Sequence, residues 1–127
     1  MTSVELEALA TMSGEEQRAW LRALCAIEGQ RPIGSIAQCL TIDSMVEPAI
    51  EALAERAEKW PFHVAREIAL KAEPGKLTWT LGIPVLRKIP AEPRKRAIDA
   101  VAKISCSEEP RRWENRMKKV RASVANT

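Results

Sequence analysis

Apolar residues recur at helical spacing along most of the chain, and prolines divide that pattern into separate segments. Val4, Leu6, Leu9 and Met12 predict a short first helix. Ser13 with Glu16 three residues later forms a capping box and opens a helix over about 14–28, closed by Glu28–Gly29. The apolar stripe of that helix reads Gln17, Trp20 or Leu21, Leu24 and Ile27. A loop at Gln30–Arg31–Pro32 precedes a short helix on Ile33, Ile36, Ala37 and Leu40. Asp43 or Ser44 can cap the next element, with Ser44 and Glu47 as a second capping box and Pro48 in the first turn, where a missing N–H costs little. Ala49, Ile50, Leu53, Ala57 and Trp60 then recur on one face, and Glu51, Glu55, Arg56 and Glu58 on the other. Pro61 starts a helix of about 61–72 that buries Val64, Ala65, Ile68, Ala69 and Ala72. The Glu73–Pro74–Gly75–Lys76 stretch stops it, Pro–Gly being the signal of a type II turn.

The pattern changes period after this turn. Leu77, Trp79, Leu81, Ile83 and Val85 alternate with Thr78, Thr80, Gly82 and Pro84, as in a half-buried strand. Gly82 and Pro84 fit a strand poorly, and a loop followed by a short helix from Pro84 through Ile89 fits the same residues. Helical spacing returns at Pro93, with Ala97, Ile98, Val101 and Ile104 on one face. Ser107–Glu108–Glu109–Pro110 reads as a strong start for a last helix reaching about Ser123. The expected architecture is one all-α domain over residues 1–127, a compact bundle of six or seven short helices, with room for one short β-hairpin near residues 62–86.

Two local resemblances follow from these elements. Residues 47–74 and 83–104 look like two copies of one helical-hairpin unit, proline-initiated at Pro48 and Pro61 and again at Pro84 and Pro93. The Ala97–Ile104 segment resembles the second helix of a HEAT-type unit. Residues 31–53 are similar to the core pattern of a helix-turn-helix through Ile36, Ala37, Leu40, Ile42, Val46, Ala49, Ile50 and Leu53, with Pro74–Gly75 as the tip of a wing. That pattern has one residue too few between Ile42 and Val46. Its recognition helix would also bring Glu47, Glu51, Glu55 and Glu58 towards phosphates, the opposite of what groove reading requires.

Composition supports helix. Alanine and leucine dominate the 46% of hydrophobic residues, with one Phe and no Tyr. No apolar run approaches the roughly 18–20 residues that span a bilayer and no basic-then-apolar leader opens the chain, so a cytoplasmic protein without membrane partners is expected. Cys25, Cys39 and Cys106 are few and widely spaced, and His63 is the only histidine. Neither a disulfide framework nor a zinc site is expected from them. No phosphate loop, metalloprotease motif or nucleophile elbow is present, and Glu108–Glu109 reads as helix-start acids. The expectation is therefore no enzyme, no catalytic residues, no cofactor or metal, and no small-molecule ligand.

Charge gives the functional signal. Residues 1–58 hold 4 basic and 10 acidic groups, and residues 59–127 hold 16 basic and 7 acidic. The net +3 thus conceals an acidic half and a strongly basic one, and a one-sided basic surface is the footprint of a polyanion binder. On the last helix Trp113, Met117, Val120 and Val124 form a docking stripe, with Arg112, Arg116 and Lys119 in a parallel row for phosphate oxygens. Arg94, Lys95, Arg96, Arg111 and Lys118 complete the candidate nucleic-acid-binding set. The expected function is a non-enzymatic small subunit or accessory factor of a nucleoprotein assembly that binds DNA or RNA backbone. The alternatives are a protein–protein adaptor, with acidic helix 48–60 and the basic tail on different partner subunits, and a winged-helix DNA-binding regulator.

Overall fold

The computed structural model describes residues 2–104 and 110–125. Among them the secondary structure is helical, without strands. The α-helices are α1 (Ser3–Thr11), α2 (Gly14–Cys25), α3 (Arg31–Gln38), α4 (Val46–Arg56), α5 (Pro61–Lys71), α6 (Leu77–Lys88), α7 (Ala91–Ile104) and α8 (Pro110–Ala125). Two 3-10 turns, Cys39–Thr41 and Asp43–Met45, join α3 to α4. Cys106 and the expected helix start at 107–109 lie outside the described residues.

The helices stack in two rows. The even-numbered helices α2, α4, α6 and α8 each pack on the next, and so do α3, α5 and α7, with α5 against α7 the most extensive contact in the molecule. One buried cluster runs between the rows from Leu9 to Val124. The rows share a repeat that the burial pattern makes visible. In the even row Leu21, Leu53, Leu86 and Val120 are buried, one on each helix, at spacings that lengthen from 32 to 33 to 34 residues. Ile50, Ile83 and Met117 form a second such series. In the odd row Ile33, Ala65 and Ile98 correspond, as do Ile36, Ile68 and Val101. Stacked helical units of this period bury a continuous core that no single unit could bury alone. The buried positions thus recur every 32 to 34 residues, in a register different from the one the prolines suggest. Pro61 does open α5, whereas Pro84 lies inside α6 and not at its start.

The expected hairpin is replaced by α6. Its buried positions are Thr78, Gly82, Ile83 and Leu86, a helical series. The strand-like alternation arose because Gly82 is a buried position without a side chain and Leu77 is an outward one, 48% exposed. A Cβ on Gly82 would stand 2.9 Å from Ile68 Cγ2, so glycine is what allows α6 to approach α5 this closely. Pro84 removes one helix hydrogen bond, but both Pro84 and Thr80, whose carbonyl loses that donor, are on the exposed side. The turn before α6 forms as expected, with Gly75 at φ +82° and the Lys76 N–H donating to the Glu73 carbonyl. With residues 77–88 helical, the wing of a winged helix is absent.

The end helices of the even row are adapted by polar residues. Where α4 and α6 bury Ala49 and Gly82, α2 buries Gln17 and α8 carries Arg116. Gln17 Nε2 donates to the Leu9 carbonyl at 3.0 Å, and its Oε1 accepts from the Ser44 hydroxyl at 2.9 Å. Ser44 is thereby drawn away from the capping box with Glu47, and α4 has no side-chain cap. The boxes at Thr2–Glu5 and Ser13–Glu16 both form. Helix α2 ends before Ile27, which is 50% exposed and off the expected stripe.

Candidate functional site

The basic C-terminal segment divides into cations that close helix ends and cations that face water. Helix carbonyls at a C-terminus lack intrahelical donors, and a guanidinium offers five N–H groups in a fixed fork. Arg116 reaches from α8 to the end of α5, where Nε donates to the Ala72 carbonyl at 2.7 Å and Nη2 to the Leu70 carbonyl at 2.8 Å. Its guanidinium also lies 4.7 Å from the Trp113 ring centroid, and burial pushes its pKa below the ordinary value. Arg94 Nη1 points at the last carbonyls of α6, those of Leu86, Arg87 and Ile89, each at 3.3 Å. Arg87 Nε donates to the Ser123 carbonyl of α8 at 2.9 Å. Outside the basic segment, Arg56 of α4 closes the end of α2 through the carbonyls of Cys25, Ile27 and Gly29. The row Arg112, Arg116 and Lys119 therefore does not present three equivalent donors to a phosphate backbone, because its middle member is held inward.

The outer face of α8 presents a different set. Met117, Val120 and Val124 are buried and Trp113 is half-buried, so the stripe docks the helix as its spacing implies. That leaves Arg111, Arg112, Asn115, Lys118 and Lys119 exposed on the opposite side. Glu114 is the one acid of α8, and Arg121 turns to the flank, where it pairs with Asp99 of α7 at 2.9 Å. Arg112 and Lys119 border a recess of about 260 Å³ with Glu73, Pro74, Asn115 and Arg116. Lys95 stands elsewhere, in an apolar groove of about 280 Å³ between α7 and α8 that Ile98, Arg121 and Val124 also line.

Arg96 belongs to a third place. Its guanidinium carbon lies 5.6 Å from the ring centroid of Phe62 in the first turn of α5, and that of Arg66 lies 6.0 Å from the same ring. His63 meets Phe62 edge-on at 5.6 Å and Trp60 edge-on at 5.9 Å. This aromatic and guanidinium cluster was missed in the sequence because Trp60, Phe62 and His63 read as ordinary helix-boundary residues. The one signal was the density of rings at 60–63 in a chain otherwise poor in aromatics.

Of the described thiols, Cys39 is buried and Cys25 is half-buried, with Arg56 beside it. Burial raises Cys39 to about 11, and Cys25 is raised by the same cause. Among the described residues no three His, Cys, Asp or Glu side chains come together as a metal site would require, and no helix is long and apolar enough to cross a membrane.

No family model matches the chain, and no similar curated protein or solved structure is found.

Proposed function

We propose that this protein is a non-enzymatic accessory factor of a nucleoprotein assembly, binding nucleic-acid backbone through the outer face of α8. The observation that carries this reading is the sign of that face. An exposed helix face needs polar side chains for solubility, and carboxylates would serve that need as well as cations. Here Arg111, Arg112, Lys118 and Lys119 share the exposed side of α8, and the helix holds one acid in all. A rigid helix presenting guanidinium and ammonium groups along one edge suits a row of phosphates.

The test is fluorescence anisotropy with single- and double-stranded DNA and RNA of several sequences, over a range of salt. Binding is expected to be similar across sequences and to weaken steeply with salt, since each neutralised phosphate releases counterions. Absence of binding at physiological salt would overturn the reading. The exposed acidic row Glu47, Glu51 and Glu55 on α4 would then favour the second reading, an adaptor that docks a basic partner on the even-numbered row.

A further inference from the structure

We propose that the cluster built on Phe62 is a stacking site for an unpaired base, so that the nucleic acid this protein holds is single-stranded. The inference rests on the nucleic-acid reading of α8 but uses different residues on the odd-numbered row. Phe62 is the only phenylalanine, and it is half-buried in the first turn of α5, packed against the edge of the core. Its ring is held by an edge-on contact with His63, which is braced in turn by Trp60. A surface ring fixed in this way loses little conformational freedom when a planar ligand settles on it.

The cations supply the second half of the site. Arg66, one helical turn along from Phe62, and Arg96, from the neighbouring α7, both lie within cation–π range of the ring. Arg66 is also engaged by Glu67 at 3.4 Å, whereas no carboxylate of the described residues pairs with the exposed Arg96. A guanidinium near a ring can stack on a base with one face while its edge donates to a phosphate oxygen. Together the groups match a nucleotide: a flat apolar base and an adjoining anion. A duplex keeps its bases stacked on each other and offers this cluster only its phosphates. Single strands expose the π-face of every base, and stacking on a protein ring is tolerant of sequence.

The experiment compares a short single strand carrying 2-aminopurine with a duplex of the same length. Wild-type protein is expected to quench 2-aminopurine on binding the single strand. Phe62→Leu keeps the apolar contact but removes the ring face, and should weaken single-strand binding about 5- to 100-fold and abolish the quench. Its duplex affinity should stay near wild type. Arg96→Gln, at an exposed position, should weaken the single strand more than the duplex. Wild-type quench and affinity in both variants would overturn this proposal and leave the α8 reading standing, and so would equal losses on both strands. A triple variant Arg111→Gln, Lys118→Gln, Lys119→Gln should weaken both strands alike and keep the quench at saturation. If that triple variant binds as tightly as wild type while Phe62→Leu does not, the α8 reading fails and the stacking site stands. No binding of either strand by wild type overturns both.

Discussion

Arg116 and Lys119 stand three residues apart on α8 and carry the same charge, yet the fold uses them in opposite ways. Arg116 sits at the edge of the docked face, and its guanidinium donates to the open carbonyls of Leu70 and Ala72. Lys119 sits one turn further on with its ammonium in water. The same contrast recurs over the whole chain, with Arg56, Arg87 and Arg94 closing helix ends and Arg111 and Lys118 facing outward. Basic residues that look uniform along a sequence thus fall into a structural set and a set available to a ligand. The dividing factor is the nearness of an unfinished helix terminus.

The largest expected effects lie in the structural set. Arg116→Ala removes two hydrogen bonds from a charged donor and leaves two carbonyls unmatched, and should cost about 2–4 kcal/mol in urea unfolding. Arg56→Ala, which uncaps α2, should cost a similar amount. A smaller loss of about 1–3 kcal/mol is expected for Gly82→Ala, from the forced contact with Ile68. Its nucleic-acid binding should match wild type in the folded range, separating the packing of the rows from the cationic face. Lys119→Ala should change stability by less than about 0.5 kcal/mol, as surface substitutions usually do. If Lys119→Ala proved as destabilising as Arg116→Ala, the division into two sets would be wrong.

A separate, pH-dependent effect concerns Cys39, a buried group that belongs to neither set. Its thiol is held at about 11 against an ordinary 9.0, so the folded protein keeps a proton that the unfolded chain gives up. That stabilisation is complete below pH 9 and is lost as pH rises towards 11. Cys39→Ala should therefore flatten the alkaline limb of the stability profile, measured by urea midpoints between those values. An unchanged limb would show that Cys39 is not its source.

Periodicity and prolines made most helices legible. The capping box at Ser13 and the proline at Pro61 each placed a helix start, and the stripe Trp113–Met117–Val120–Val124 placed the docked face of α8. Helix α6 read equally as a strand or as a loop with a short helix from Pro84, because its key buried position is Gly82, which adds nothing to an apolar pattern. Its remaining residues happen to alternate. The repeat was half legible for the same reason, since it resides in buried positions 32 to 34 residues apart and not in the prolines. At the site, charge and spacing located the basic helix but could not separate Arg116 from Lys119. That separation depends on where α5 ends in space, 44 to 46 residues earlier in the chain. The Phe62 cluster depends likewise on α7 lying against α5.

On the proposed function, the exposed cations of α8 meet phosphates while Arg116 does not. This division is tested most directly by the slope of log affinity against log salt for one nucleic acid. Wild type, Arg116→Ala and the triple variant Arg111→Gln, Lys118→Gln, Lys119→Gln should be compared at a temperature where all three are folded. The triple variant should lose about 2–3 units of slope, because each phosphate contact contributes about 0.7–0.9. Arg116→Ala should retain the wild-type slope despite its lower stability. A wild-type slope in the triple variant, or an equal loss of slope from Arg116→Ala alone, would contradict the account.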